Sequence, residues 1–270
     1  MSLFDLGGRI VVVTGGLGRL GTGFVRRLLE HGARVAVFDA LGGEEAAERF
    51  GEAGRDPAVL FAKVDVTSRA SIAEGAAAIE RRWGDVAYGL INNAALDSPP
   101  DAPIEENGPF ETYPEASFDR VMEVNVKGVL LACQVLGAQM AAAGRGSIVN
   151  VSSIYGMVSP DQRLYEYRRK SGEPFFKPVA YSVSKSALFN LTRYLATYWG
   201  PRGVRVNTVT FGGVFDNQDP AFLAEYERKV PLGRMARKGE YDGAMVFLMS
   251  DASTYMTGAN LVLDGGLTAW

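Results

Sequence analysis

The two residues best placed to do chemistry in this chain are Tyr181 and Lys185, one helical turn apart. On a helix, i and i+4 side chains share a face. Here they extend the apolar stripe Leu188, Leu191, Leu195 and Trp199 toward the helix start. A phenol can give a proton and take one back, and an ammonium supplies three donors and a charge. A lysine on a stripe turned toward a sheet is costly unless it has a partner or a task. Chance Tyr-x-x-x-Lys pairs are common. This one stands out because it opens a helix at the carboxyl edge of the expected sheet, where open α/β sheets bind their ligands. Asn125 poses a related question, since it interrupts the stripe Phe118, Val121, Met122, Val129, Ala132, Cys133, Leu136. A buried asparagine must be hydrogen-bonded, either as a structural bridge or as part of a site.

A second constellation lies near the N-terminus. The run Arg9–Thr14 leads into Gly15-Gly16-Leu17-Gly18-Arg19-Leu20-Gly21 and then an amphipathic helix. Gly16, Gly18 and Gly21 satisfy G-x-G-x-x-G between a strand and a helix. Missing side chains let the backbone approach a pyrophosphate, and the helix start offers free N–H groups. The next strand ends at Asp39, about 20 residues on, where a carboxylate binds the adenosine ribose hydroxyls and repels a 2′-phosphate. That favours NAD over NADP. Arg19 pulls the other way, because a guanidinium in the phosphate loop attracts an extra phosphate.

These groups need a scaffold, and the pattern supplies one. Strands are expected at Arg9–Thr14, Arg34–Phe38, Val59–Val64, Tyr88–Asn92, Ser147–Val151, Arg205–Val209 and Asn260–Leu263. Such short Val/Ile-rich runs suit parallel strands covered on both faces. Helical patterns fall near 19–31, 44–52, 69–83, 117–143, 180–199 and 239–250. The alternation predicts a doubly wound parallel α/β sheet of about seven strands, Rossmann type, in a single domain spanning residues 1–270. Two stretches exceed the usual loop length, the Pro/Asp/Glu-rich Leu96–Ala116 and the mixed-charge Ile154–Val179.

Composition narrows the classes. With 47% hydrophobic residues and 22% charged residues over 270 positions, the chain buries a core that needs no staple. A net charge of −3 gives no basic face for nucleic acid or an anionic membrane. Cys133 is the single cysteine and His31 the single histidine. That excludes an internal disulfide, a metal site of zinc-type spacing and a Ser-His-Asp triad. Cys133 reads as a small buried hydrophobe, and His31 as the last turn before the helix stop at Gly32. No signal-like segment or run near 18 apolar residues is seen, so a cytoplasmic location is expected.

Read together and in order, the motifs resemble the short, single-domain branch of the short-chain dehydrogenases over essentially the whole chain. The matching segments are Thr14–Gly21, Asp65-Val66, Asn92-Asn93-Ala94-Ala95, Asn125, Asn150-Val151-Ser152-Ser153, Tyr181-Ser182-Val183-Ser184-Lys185, Arg205-Val206-Asn207 and Leu263-Asp264-Gly265-Gly266. The resemblance implies hydride transfer between a nicotinamide cofactor and a secondary alcohol or ketone. In it Tyr181 is the general acid or base, its phenol lowered by Lys185 and the nicotinamide cation. Ser153 holds the substrate oxygen, Lys185 also binds the nicotinamide ribose, and Asn125 anchors a water leading to solvent. Gly15, Gly18, Arg19, Leu20, Gly21, Asp39, Asp65, Val66, Asn92, Ala94, Gly212 and Val214 would join Tyr181 and Lys185 around the cofactor. The resemblance also implies a lid at Phe215–Val230 and a homotetramer built through the long helices and the C-terminal strand, with Leu267–Trp270 nearby.

Three departures stand out. Arg19 occupies a glycine position of the branch's usual Thr-Gly-x-x-x-Gly-x-Gly, giving the glycine spacing of epimerase-like relatives. Phe211-Gly212 replaces Pro-Gly after the sixth strand. Ser153 and Tyr181 are 28 residues apart, about twice the family spacing. The excess is Ile154–Val179, which carries Asp161, Arg163, Tyr165, Tyr167, Arg168, Arg169 and Lys170. Arg163, or one of Arg168 and Arg169, is therefore expected against substrate, since arginine forks suit anions and tyrosine faces suit sugars; the alternative is a solvated surface or subunit-contact excursion. Ser153–Gly156 and Pro160–Arg163 resemble dehydrogenases of bacterial surface-sugar and flagellin-sugar pathways, which implies a sugar or polyol derivative. A ketoacyl-thioester reductase and a non-catalytic nucleotide sensor on the same fold are the alternatives.

Overall fold

Valine and isoleucine crowd the strand runs because a β-branched side chain packs well on a pleated, doubly covered surface. The computed structural model describes residues 2–97 and 104–270, so part of Leu96–Ala116 lies outside the described residues. The strands are β1 (Ile10–Thr14), β2 (Arg34–Asp39), β3 (Val59–Lys63), β4 (Gly89–Asn92), β5 (Gly146–Ser153), β6 (Val204–Phe211) and β7 (Asn260–Leu263). Among the described residues they form one parallel sheet in the order β3-β2-β1-β4-β5-β6-β7. This is the expected doubly wound α/β sheet. β5 and β6 run further than the sequence pattern suggests, and β5 carries through to Ser153.

Side-chain alternation divides the core into two layers. Val12, Ala36 and Leu90 face a layer built with Ile72, Ala76, Leu136, Met140, Leu188 and Trp199. Val11, Val13, Val35 and Ile91 face the other, with Phe24, Val25, Leu28, Met245 and Leu248. The first layer is covered by helices α3 (Arg69–Trp83), α4 (Glu115–Ala142) and α7 (Val179–Trp199). The second is covered by α1 (Gly21–Glu30) and α9 (Asp242–Met249). Between them in sequence lie α2 (Gly43–Phe50), α5 (Ile154–Met157), α6 (Glu166–Lys170) and α8 (Pro220–Glu227). α4 is long and apolar enough to cross a membrane by length and composition alone. Its apolar stripe is instead buried on the sheet.

β1 lies between β2 and β4, so the chain reverses its direction of travel across the sheet there. A crevice opens beyond the carboxyl ends of β1 and β4, the place where such sheets take ligands. A buried polar chain fixes the layers around it. The Asn92 Nδ2 donates to Asn150 Oδ1 (2.8 Å), Asn150 Nδ2 donates to Thr192 Oγ1 (2.9 Å), and Thr208 Oγ1 donates to the same Thr192 oxygen (2.7 Å). All four residues are buried. They tie β4, β5, β6 and α7 into one body.

Asn150→Ala should leave the buried Asn92 amide only the Cys133 sulfur at 3.5 Å and take from the Thr192 oxygen one of its two donors. Each buried polar group left without a partner costs about 1–3 kcal/mol. Urea denaturation should show an unfolding free energy lower by about 2 kcal/mol or more, at an unchanged m-value. A loss below about 0.5 kcal/mol would remove this chain of bonds from the account of stability.

Candidate active site

The end of β5 and the first turns of α7 deliver the central groups. Pro178 has an extended ψ and precedes the first helical residue, so α7 starts just before Tyr181. Tyr181 and Ser153 are hydrogen-bonded through their side chains. The Ser153 oxygen also accepts from the Tyr155 N–H at 3.2 Å. Lys185, 4% exposed, donates its ammonium to the Val151 carbonyl at 2.8 Å. Its Nζ lies 5.8 Å from the centre of the Tyr181 ring.

Asn125 sits in a widened π-type turn of α4 (Glu123–Gly128), a feature that recurs at functional sites. It accepts from the Leu96 N–H (2.8 Å), donates to the Leu96 carbonyl (2.9 Å) and donates to Ser184 Oγ (3.0 Å). Both its polar atoms are therefore engaged in clasping the segment after β4 against α7.

Burial dominates the electrostatics of the pair. Burial raises the Tyr181 phenol well above its ordinary value, the Asp97 carboxylate adds to this, and the Ser153 hydrogen bond opposes it. Burial thus keeps the phenol protonated in the protein without cofactor. Burial brings the Lys185 ammonium down to about 8, against an upward pull from Asp97.

On the other side of the crevice, the glycines meet the geometry expected of a phosphate cradle. Gly15 has φ +61°, and a Cβ there would stand 2.8 Å from Ala94 Cα. A Cβ on Gly21 would collide with the Gly15 carbonyl, so Gly21 serves the packing of α1 on the loop. Asn93 Nδ2 donates to the Thr14 and Gly15 carbonyls (3.1 and 2.9 Å), and Thr14 Oγ1 accepts from the N–H groups of Asn93 and Ala94. Asp39 accepts from the N–H groups of Leu17 (3.0 Å) and Leu41 (3.3 Å). Arg19 pairs with Asp216 across the crevice. Phe211, where a proline is expected, stacks on Tyr241 with ring centres 4.1 Å apart. The Tyr241 hydroxyl donates to the Gly212 carbonyl (3.0 Å), so the floor of the pocket is held without the proline.

These residues line one cleft of about 1680 Å³. That exceeds the ~300–1,000 Å³ of an ordinary small-ligand site and leaves room for a dinucleotide beside a substrate. Gly15, Gly18, Arg19, Leu20, Asp39, Asp65, Val66, Ala94, Gly212 and Val214 line it, as do Ser153, Tyr181 and Lys185. Asn92, Gly21 and Asn125 do not. Asn92 is spent on Asn150, and Asn93 takes the place expected of it on the cleft wall.

The long segment after Ser153 is folded. It forms α5, a tight turn at Gln162–Tyr165 and α6. Its arginines divide. Arg163 is largely exposed, forks onto Asp161 and lies off the cleft. Arg169 donates to the Phe175 and Gln162 carbonyls (2.9 and 2.8 Å), which fastens the segment internally. Only Arg168 lines the cleft, paired with Glu173 and lying 3.9 Å above the Phe175 ring. The expectation that any of the three meets substrate is thus reduced to Arg168.

Two residues that sequence reasoning passed over stand closer. Lys177 is buried, ion-paired with Asp97 at 2.5 Å, and 4.8 Å from the Tyr181 ring centre. Its signal was its place just before the proline that starts the catalytic helix. Tyr155, Tyr165, Phe222 and Tyr226 complete the aromatic wall.

Residues 18–268 match the family model described as Enoyl-(Acyl carrier protein) reductase. The D-threitol dehydrogenase of Mycolicibacterium smegmatis is 32% identical over 98% of this chain and 95% of its own length. The cis-4-hydroxycyclohexanecarboxylate dehydrogenase of Sinomonas cyclohexanicum is 34% identical over 97% of each chain. A short chain dehydrogenase from Leptospira borgpetersenii with bound NAD+ superposes with TM-score 0.84 at 31% identity, covering 98% of this chain and 95% of the other. A gluconate 5-dehydrogenase from Burkholderia cenocepacia in complex with NADP and tartrate gives TM-score 0.83 at 27% identity, with 99% and 98% covered. The chain belongs to the short-chain dehydrogenase/reductase family. It is an enzyme, an oxidoreductase of secondary alcohols and ketones that uses a nicotinamide cofactor.

In the cofactor-free protein the Lys185 ammonium should titrate near pH 8, read by NMR of the labelled side chain. An ammonium lowered from 10.5 to about 8 binds fewer protons in the folded than in the unfolded chain across that window. Its contribution to stability therefore rises with pH from about 8 toward 10.5. A midpoint at or above 10 would show that the ammonium is not desolvated.

Proposed function

We propose that the protein is an NAD-dependent dehydrogenase of a polyhydroxylated secondary alcohol, a sugar derivative or polyol. The observation that carries this is the Ser153, Tyr181, Lys185 cluster at the carboxyl end of β5, opening onto the glycine cradle and Asp39.

When bound, the nicotinamide supplies the hydride acceptor or donor. Tyr181 passes the proton between the substrate oxygen and solvent, and Ser153 holds that oxygen by a hydrogen bond as charge develops on it. Lys185 would hold the nicotinamide ribose, and its ammonium stands 5.8 Å from the centre of the Tyr181 ring. A phenol kept protonated by burial is ready to donate toward a carbonyl, and in the oxidising direction the phenol would give up that proton more readily beside a bound cationic nicotinamide. Asn125 is a positioning residue in this reading. Its bonds to Leu96 and Ser184 set the segment after β4 and the rotation of α7.

Asp39 supports NAD, since its carboxylate stands at the end of β2 on the cleft wall where the adenosine ribose would lie. Arg19 turns its guanidinium to Asp216 in the Phe215–Val230 lid region and is thereby engaged away from a 2′-phosphate. The names of the relatives, which include a tetritol dehydrogenase and a sugar-acid dehydrogenase, support a hydroxyl-rich substrate. Exposed Leu130 on α4, Val183, Tyr194 and Tyr198 on α7, and Val262 on β7 support a homotetramer through those elements. The single, buried Cys133 suits a reducing, cytoplasmic compartment.

Tyr181→Phe should abolish nearly all turnover while NAD affinity, measured by fluorescence titration, stays close to wild type, because only the proton carrier is lost. Retention of more than about a tenth of kcat would show that another group carries the proton. Asp39→Ala should weaken NAD binding and raise the ratio of NADP to NAD efficiency by about ten-fold or more. A wild-type enzyme that prefers NADP would overturn the cofactor assignment and return Arg19 to the role of phosphate ligand.

A further inference from the structure

Lys177 and Asp97 have no part in the chemistry described above, yet both line the cleft beside its reacting centre. Lys177 is 9% exposed, and its ammonium lies 2.5 Å from Asp97 Oδ1 and 4.8 Å from the Tyr181 ring centre. Asp97 follows Leu96, which Asn125 holds by two hydrogen bonds, so its place is set by the same clasp that orients α7. The charge of Asp97 is felt at Tyr181 and at Lys185, where it favours the protonated forms of both.

An ammonium has three donors, and Asp97 engages one of them. A carboxylate has several lone-pair sites, so donor and acceptor capacity stand side by side at this point of the wall. We propose that Lys177 and Asp97 together recognise a hydroxyl on the carbon next to the reacting carbinol, so that the preferred substrate unit is a neutral vicinal diol. This rests on the reading of the site as an alcohol dehydrogenase centred on Tyr181.

The charge pattern of the cleft selects among ligand classes. A hydroxyl accepts from Lys177 and donates to Asp97, satisfying both at once. A carboxylate at the same place accepts from Lys177 but faces the Asp97 charge. A methylene gives nothing to the buried Lys177 ammonium, which is how sites built for a hydroxyl reject its deoxy analogue. Arg168 is matched by Glu173 and Arg19 by Asp216. Among the described residues, Lys185 is the one cleft-lining Lys or Arg without a carboxylate partner, and it is buried against the Val151 carbonyl. Neutral recognition by hydrogen bonds therefore fits the cleft better than capture of an anion. The closeness of Lys177 to the Tyr181 ring places the recognised hydroxyl beside the reacting carbon and not at a remote end.

The test compares cis-cyclohexane-1,2-diol, cyclohexanol and 2-hydroxycyclohexanecarboxylate with NAD, in wild type, Asp97→Asn and Lys177→Met. Wild type should favour the diol over cyclohexanol in kcat/KM by about ten-fold or more, and each variant should lower that ratio by about ten-fold. NAD affinity should be unchanged in both, which separates the effect from misfolding. Three results would overturn the inference: a wild-type ratio near one, an equal loss on diol and mono-alcohol in both variants, or the carboxylate outcompeting the diol in wild type. If Tyr181→Phe is inactive in the same assays, such a result removes this inference alone. If wild type oxidises none of the three, or Tyr181→Phe keeps its activity, the reading of the active site fails with it.

Discussion

A lysine ammonium taken out of water must be compensated, and the environment of Lys185 organises much of this structure. Desolvation costs several kcal/mol per ion even after relaxation, and the direct partner in the protein is the Val151 carbonyl. Reaching that carbonyl requires α7 to lie close on the end of β5. Gly156 allows the approach, since a Cβ there would stand 2.8 Å from the Lys185 carbonyl carbon and from Ser152 Oγ. Ser152 then donates to the Lys185 carbonyl and Ser186 to the Gly156 carbonyl. Asn125 reaches Ser184 from the opposite helix. These bonds fix the rotation of α7, and that rotation puts Tyr181 beside Ser153. The cost of the buried charge and the placement of Tyr181 beside Ser153 are two aspects of one arrangement.

The cofactor side obeys a different constraint, close backbone approach. Thr14 and Asn93 hold the ends of β1 and β4 together, and Gly15 fits its left-handed bend only because no Cβ is present. The two departures from the family pattern in this region are each absorbed by a contact. Arg19, longer than the expected glycine, projects across the crevice to Asp216. The Phe211 ring finds a stacking partner in Tyr241, whose hydroxyl in turn secures Gly212.

The doubly wound sheet and the positions of Tyr181 and Lys185 were legible in the sequence because each is written in local pattern, whereas Ser153 came from the family resemblance and the strand order from the structure. Short continuous valine-rich runs mark the strands, and a polar pair on an apolar helical face marks the centre. Distinguishing Asn92 from Asn93 was beyond that reading. Adjacent residues on a strand end point to opposite sides, and only the end point of β4 decides which of the two is buried against Asn150. Which of the long segment's arginines reaches the cleft was hidden for a related reason. Composition shows that guanidiniums are present, but their direction depends on local partners, and Asp161, Glu173 and two backbone carbonyls claim them. Lys177 and Asp97 lie 80 residues apart, so no spacing rule connects them.

The long segment also explains how the substrate side acquires a fixed shape without regular strands. Tyr165 packs on Phe175 and on Phe222 of α8, while Leu164 joins Tyr226, Val230 and Met235 in a small separate core. Asp161 binds Arg163 on its own segment and Lys229 beyond α8, and these cations hold its carboxyl well below the usual range. The wall that follows Ser153 and the region that follows β6 are therefore one packed unit. The same packing sets where the aromatic wall stands and where Asp216 meets Arg19 from the glycine loop. The aromatic wall and the glycine-loop side of the cleft thus share a boundary, and a change in the length of the segment between Ser153 and Tyr181 would alter both at once.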